Sequence, residues 1–206
     1  MKYRTATDLK QLLLEDQERV VNQIPREKVD VFIYLHDAFK DTYVPDDTLY
    51  KFIYRYFFRL DNPSLTQEFE EEYFKLLEEL RTQERPNIVL VTKHLYDIKN
   101  HKGNPTMQFP LAAAMLHTIN PEFPTYDSDV AKAFDFSSTY HLNGFEKKMR
   151  RYIGQYRHLF NTYSELLDDE ALEPLFNHFD ERFLDYDLPK IKKLDLMVCQ
   201  LGHLLL

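Results

Sequence analysis

Asp127 and His117, near the middle of the chain, have the side-chain types that acid–base chemistry needs. An aspartate that opens a helix is kept ionised by the helix dipole and can stabilise a developing cation. A histidine facing that carboxylate across the intervening corner would complete a pair suited to proton transfer. Each residue also has a structural interpretation. Asp127 is a good helix N-cap, and His117 fits a half-buried ring bonded to the backbone.

Five basic residues between positions 140 and 160 form a second candidate site. They are accompanied by one acid, Glu146, so the stretch has a local net charge of +4: Lys147, Lys148, Arg150, Arg151 and Arg157. Interleaved tyrosines, Tyr140, Tyr152 and Tyr156, would let bases stack while the cations follow a phosphate backbone. The alternative is a charged face that only contacts solvent.

The chain offers little for a metal ion or a nucleophile. Lys93, His94, Asp97 and His101 form a polar cluster, but their spacing matches no metal motif, so we predict a solvated helix face. The single cysteine, Cys199, excludes an intrachain disulfide and lies in an apolar helix, where a thiol is usually inert. The four glycines form no phosphate-binding loop. We therefore expect no metal and no cofactor.

Charge is unevenly distributed along the 206 residues. The overall net charge of −8 weighs against a dedicated nucleic-acid binder. From Asp61 to Glu84 eight acids oppose two bases, a net charge of −6, whereas the later basic stretch is positive. This asymmetry permits either a local anion-binding face or an acidic face docked to a basic one.

The composition, with 44% hydrophobic residues, is that of an ordinary globular protein. The first residues contain no long apolar core, and no run of 18 apolar residues occurs in the chain. We expect neither export nor membrane insertion, and cytoplasmic localisation follows as the default.

The most informative stretch runs from Leu111 to Phe134. Apolar and alanine residues at helical spacing predict a short buried helix. Asn120-Pro121 then ends the helix, because the residue before proline avoids the α region. Asp127, with Ser128 as the alternative, is predicted to cap a second helix.

Proline breaks and apolar spacing of three and four residues predict helices throughout the chain. The first is expected over about residues 7–23, with Thr7 or Asp8 as its cap. Apolar runs at residues 29–35 and 88–91 also suit strands, but their continuation at helical spacing favours helices. We predict an all-α, single-domain protein of about nine or ten helices, with a possible subdomain break near residues 100–106.

The segment Met115–Val130, M-L-H-T-I-N-P-E-F-P-T-Y-D-S-D-V, resembles a motif of an uncharacterised bacterial all-helical family. The segment Lys193–Gln200 is similar to the closing helix of that family, and the resemblance covers roughly the last half of the chain. The family usually has a Ser-Lys pair where this chain has Ala113 and Ala114. Any role of that lysine is therefore absent here. The resemblance implies a bacterial helical protein but no activity.

Asp127 and Val130 are also similar to part of the signature of helix-hairpin-helix DNA glycosylases. In those enzymes an aspartate at a helix start stabilises the cationic sugar that forms as the base departs. The glycine-containing hairpin and the lysine nucleophile of that signature are missing here.

Two hypotheses of function follow. The first is a binding or regulatory module that contacts a protein or a nucleic acid through its charged faces. The alternative is a degenerate DNA-glycosylase-like enzyme, or a damage-recognition protein, that uses Asp127 as its central carboxylate.

Overall fold

The computed structural model describes residues 3–205, and these form an all-α fold, as the sequence predicted. The described chain contains eleven α-helices, nine of them with seven or more residues, one 3-10 turn and no strand. Both runs for which a strand was possible, at residues 29–35 and 88–91, are helical. The helices pack as two compact units, a middle unit (Pro25–Pro121) and a terminal unit (residues 3–24 and 122–205).

The middle unit is built from five helices, α3 (Arg26–Asp41), α4 (Thr48–Phe58), α5 (Gln67–Glu79), α6 (Ile88–Asp97) and α7 (Phe109–Ile119). As predicted, α7 is buried over nine of its eleven residues, because its alanines let neighbouring helices approach closely. The hydroxyl of Tyr54 lies 2.8 Å from that of Tyr73 and 3.1 Å from that of Thr118. Tyr73 donates to the carbonyl of Leu111 at 2.9 Å. These buried hydroxyls are therefore satisfied inside an aromatic core.

The predicted break near residues 100–106 coincides with a turn inside the middle unit. Asn100 donates its backbone N–H to the carbonyl of Asn104 at 2.9 Å, and Gly103 supplies the positive φ of 75° that the turn requires. The boundaries between the two units lie elsewhere, after Ile24 and after Pro121.

The terminal unit contains six helices: α1 (Ala6–Glu15), α2 (Gln17–Asn22), α8 (Ser128–Ala133), α9 (Phe145–Leu167), α10 (Glu173–Arg182) and α11 (Lys190–Leu204). α11 is central, because it packs against each of the other five. This position agrees with its composition, since nine of its fifteen residues are buried.

The first helix differs from its predicted form. It begins at Ala6 and is capped by Thr5, whose hydroxyl accepts the backbone N–H of Asp8, while the Asp8 carboxylate accepts the N–H of Thr5. This reciprocal capping box moves the start upstream of the predicted caps, Thr7 and Asp8. The predicted single helix is also interrupted at Asp16, where φ is −108° and ψ is 18°. Aspartate is one of the weaker helix formers, in agreement with a break at that position.

Within the described part of the chain, no helix is both long enough and apolar enough to cross a membrane.

The packing of α8 against α11 depends on Gly202. A Cβ atom at this position would overlap the carbonyl oxygen of Asp129 and lie 2.5 Å from its carbonyl carbon. Backbone atoms cannot move aside as a flexible side chain can, so only glycine permits this helix crossing.

We predict that Gly202→Ala lowers the free energy of unfolding by about 1–3 kcal/mol, because the added methyl group overpacks the crossing. Gly154→Ala is the matched control. Gly154 is an exposed helical glycine whose added Cβ would meet nothing within 4 Å. The control should raise the free energy of unfolding by about 0.5–1 kcal/mol through helix propensity. Chemical denaturation of both variants measures the sign of each change in the free energy of unfolding. Equal changes in the two variants would contradict this account of the helix crossing.

Candidate nucleic-acid interface

The inner face of α9 is held in place by hydrogen bonds to the segments that precede and follow α8. Tyr156 donates its hydroxyl to the carbonyl of Pro124 at 2.8 Å. Gln155, fully buried, accepts the hydroxyl of Tyr126 at 2.8 Å and donates to the carbonyl of Ser137 at 2.8 Å. These hydrogen bonds fix the rotation of α9 about its axis, and so they determine which side chains it presents to solvent.

The same segment is joined to α11 through a buried carboxylate. Asp195 is 2% exposed, and it accepts the backbone N–H of Thr125 at 3.1 Å and the Thr125 hydroxyl at 3.0 Å. Lys192 lies 3.2 Å from its other oxygen in a buried ion pair. Tyr163, from α9, donates to Asp195 at 3.4 Å. A buried charge is tolerated only when it is paired and hydrogen-bonded, and this carboxylate meets both conditions.

The five predicted basic residues lie in the N-terminal two thirds of α9. Lys147, Arg150 and Arg157 are exposed, while Lys148 and Arg151 are half-buried. Within residues 3–205 none of the five forms an ion pair. Other cations of the terminal unit do form them: Lys10 with Asp169, Lys132 with Asp129, Lys190 with Glu173, and Lys193 with Asp180. The positive charge of α9 is therefore not neutralised inside its own unit.

Three of these cations line one cavity of about 300 Å³, the α9 cavity, whose walls are Tyr3, Leu142, Lys147, Arg150, Arg151 and Gly154. None of the lining residues is acidic. The Nη1 atom of Arg151 is buried and has no hydrogen-bond partner in the described chain. Unpartnered buried charged donors are costly, since the group has lost its water without gaining an acceptor. Arg151 lines the cavity, so an anion seated there would supply an acceptor to its guanidinium group.

The wall formed by Tyr3 is positioned by its neighbour Arg4. Arg4 donates to the carbonyls of Lys132 at 2.7 Å and Ala133 at 2.8 Å, the last residues of α8. Its own carbonyl lies 2.8 Å from Nε2 of His158 on α9. The beginning of the described chain is thus fixed against both helices, and Tyr3 with it.

Only one of the three interleaved tyrosines is available at the surface. Tyr140 is 92% exposed, in the segment just before α9. Tyr156 is buried, and Tyr152 is half-buried with its ring edge-on to Tyr126. Tyr152 and Tyr156 therefore pack toward the interior of the unit, because positions 152 and 156 share the inner face of α9.

Asp127 is the N-cap of α8, as predicted. Its Oδ1 accepts the backbone N–H groups of Asp129 at 2.9 Å and Val130 at 2.8 Å. Its Oδ2 lies 3.7 Å from the Cys199 thiol. Burial raises the pKa of the Asp127 carboxyl, and the charges of Asp129 and Asp195 raise it further, while the hydrogen bond from Val130 opposes the rise. Asp127 does not line the α9 cavity.

His117, the other predicted acid–base residue, belongs to the middle unit. Its side chain is 1% exposed, and its ring lies 5.6 Å from that of Phe32. Asp127 belongs to the terminal unit, where its described partners are Asp129, Val130 and Cys199. The acid–base pairing of the two residues stays a prediction.

Sequence reasoning missed three parts of this region. Gly154 stands one helical turn from both Arg150 and Arg157, a spacing that would have placed it on the basic face. Lys192 and Asp195 stand three apart in an apolar helix, which is a signal of a buried pair. No local signal indicated that Tyr3 would line the cavity, because that side chain and the rest of the lining are separated by most of the chain.

The polar cluster at residues 93–101 lies in the middle unit and at its surface. Lys93 forms an ion pair with Asp97 along α6, and Nε2 of His94 lies 3.7 Å from Glu72. Among the described residues, no three His, Cys, Asp or Glu side chains are grouped so that they could hold a metal ion.

Comparisons of the chain with protein-family models, curated proteins and solved structures found no match. Function is therefore argued from the geometry of the chain itself.

We predict that Asp127→Asn keeps the cap of α8 but changes how stability depends on pH. The amide oxygen can still accept the two N–H groups, whereas Asp127→Ala loses them at a cost of about 1 kcal/mol. Because the folded-state pKa of Asp127 is raised, its contribution to stability is greatest at low pH and is lost as pH rises through that pKa. The wild type should therefore gain stability relative to Asp127→Asn as pH falls from about 7 to about 4.

Denaturant unfolding of the wild type and Asp127→Asn across this range measures the difference directly. The two proteins share all other titrating groups, so the contributions of those groups to the pH dependence of stability largely cancel in the comparison. A wild type that loses stability relative to Asp127→Asn as pH falls would show a lowered pKa and contradict the burial argument.

Proposed function

We propose that the protein is a binding module for nucleic acid and that the basic face of α9 is its contact surface. The observation that carries the proposal is the set of cations on α9 that find no acidic partner in the described chain, three of them around one cavity. Arginine and lysine without internal partners are the groups that bind phosphate oxygens.

The layout of these cations supports binding of a single strand. Lys147, Arg150 and Arg157 are the exposed members, and ten residues of helix place the first and last about 15 Å apart. A row of that length can meet several phosphates in succession. The exposed ring of Tyr140 precedes this row in the chain and can stack on a base.

The acidic overall charge of the protein shapes the expected affinity. A net charge of −8 repels a polyanion at long range, while the local net charge of +4 acts at the interface. Binding should therefore be weak and strongly salt-dependent, in agreement with a module that engages its ligand through a small surface.

A protein partner is the second candidate, and a separate surface favours it. Leu49, Phe52 and Tyr56 form a row along α4 in the middle unit, and they are 61%, 61% and 79% exposed. Apolar side chains at this spacing usually face a core or a partner helix. The proposal for nucleic acid leads because its surface combines charge, a cavity and a buried donor without a partner.

The glycosylase-like alternative depends on Asp127 as a reactive carboxylate. Its two hydrogen bonds to the start of α8 support a structural role, because they are those of a helix N-cap. An enzyme of that kind would lose its activity in Asp127→Asn while its fold and its nucleic-acid affinity remained.

We predict that the variant Arg150→Gln with Arg157→Gln weakens binding to a mixed pool of fluorescent single-stranded DNA, measured by anisotropy. Both side chains are exposed, so the fold should be unaffected. Each lost phosphate interaction should reduce the slope of log affinity against log salt concentration by about 0.7, or about 1.4 for the pair.

Lys40→Gln with Lys75→Gln is the matched control. It removes the same charge from two exposed lysines of the middle unit, outside the proposed interface. The control should keep the wild-type slope. Wild-type protein that fails to bind DNA even at low salt, or a control that weakens binding as much as the α9 variant, would contradict the proposal.

A further inference from the structure

We infer that the α9 cavity is a specific subsite for the terminal phosphate of a nucleic-acid strand, that is, for a phosphate monoester. This inference rests on the proposed function, because it takes nucleic acid as the ligand and identifies which part of it enters the cavity. Arg157, farther along α9 and exposed, then binds a phosphate that follows along the strand.

The charge around the cavity matches a monoester better than an internal phosphate. Lys147, Arg150 and Arg151 bring three positive charges to one site, and no lining residue is acidic. An internal phosphodiester carries a single negative charge, whereas a monoester carries about −1.5 to −2 and offers three strong acceptor oxygens. Three cations around one diester would leave a net charge of about +2, against about +1 to +1.5 around a monoester, so the monoester is the better match.

The donors in the site are those that recognise such a group. The buried Nη1 of Arg151 is without a partner in the described chain. Guanidinium groups bind phosphate oxygens in a two-pronged manner, and Lys147 adds a compact point charge. These donors are grouped around one shallow cavity that is open to solvent.

The size and surroundings of the cavity fit the end of a strand. A volume of about 300 Å³ can hold a phosphate and the adjoining sugar, and it is at the lower limit of small-molecule sites. Leu142 and Tyr3 form its less polar walls. Tyr140 stands two residues before Leu142 and is exposed, so it can stack on the first base outside the cavity.

Gly154 provides the sharpest test, because it lines the cavity without a side chain. A Cβ at this position would meet nothing within 4 Å, so larger residues can be introduced without disturbing the helix. Gly154→Glu would place a carboxylate among the three cations and compete with the phosphate. Gly154→Gln has nearly the same volume without the charge, and Gly154→Ala leaves the cavity open.

The experiment compares two single-stranded DNA oligonucleotides of identical sequence, one with a 5′-phosphate and one with a 5′-hydroxyl, by fluorescence anisotropy at low salt. A third oligonucleotide carries the phosphate at its 3′ end, and inorganic phosphate serves as a competitor. Thermal unfolding of each variant confirms that it is folded.

We expect the wild type and Gly154→Ala to bind an oligonucleotide with a terminal phosphate about tenfold or more tightly than the unphosphorylated one. In Gly154→Glu and in Arg151→Gln this preference should disappear. Both variants should also bind the unphosphorylated strand more weakly than the wild type, because each lowers the positive charge of the α9 face, so the ratio of the two affinities is the readout. Gly154→Gln should retain a larger part of the preference than Gly154→Glu, because it obstructs the cavity without opposing the anion.

Three results would overturn the inference. Equal wild-type affinity for all three oligonucleotides would overturn the inference and leave the proposed function in place. A terminal-phosphate preference that survives in Gly154→Glu would place the subsite elsewhere. Failure of every oligonucleotide to bind would overturn the proposed function as well, even if inorganic phosphate alone were bound.

Discussion

The fold of the terminal unit depends on one requirement. The carboxylate of Asp195 leaves water when the chain folds, so it must be hydrogen-bonded and paired with a positive charge. Its partners come from three elements, Thr125 before α8, Tyr163 on α9 and Lys192 on α11 itself. These elements must converge on it, because a buried charge without partners destabilises the fold by more than any one ordinary hydrogen bond stabilises it. The segment that contains Thr125 then also carries the acceptors and donors that fix α9.

This requirement connects the core to the proposed interface. Once Tyr156 and Gln155 are bonded on the inner side of α9, the positions that alternate with them at helical spacing face away from the core. Lys147, Arg150 and Arg157 occupy those positions and are exposed. The arrangement of the core thus determines the location of the cations. Five acids of the unit are paired with other lysines: Asp129, Asp169, Glu173, Asp180 and Asp195.

Much of the fold could be predicted because it is encoded locally. Helix positions follow from apolar spacing and proline, and the cap at Asp127 follows from a preference that acts over three residues. The split at Asp16 and the cap at Thr5 were missed, since competing caps within a few residues are separated by small energies. The pairing of Asp195 with Thr125, seventy positions apart, could not be read from spacing, because only the packed chain brings the two together.

The candidate site was predictable only in part, for the same reason. The charge run on α9 was visible in the sequence, and the apolar spacing along the helix also agrees with the inward position of Tyr156. The cavity joins residues 3 and 142–154, and local patterns carry no information on side chains that meet from so far apart in the sequence.

The most direct test of the account is an NMR titration of isotopically labelled protein with a single-stranded oligonucleotide. The account predicts that backbone amide shifts concentrate in the segment from Tyr140 to Arg157 and at Tyr3. Shifts confined to the middle unit, for example at Leu49, Phe52 and Tyr56 on α4, would contradict the assignment of α9 as the contact surface.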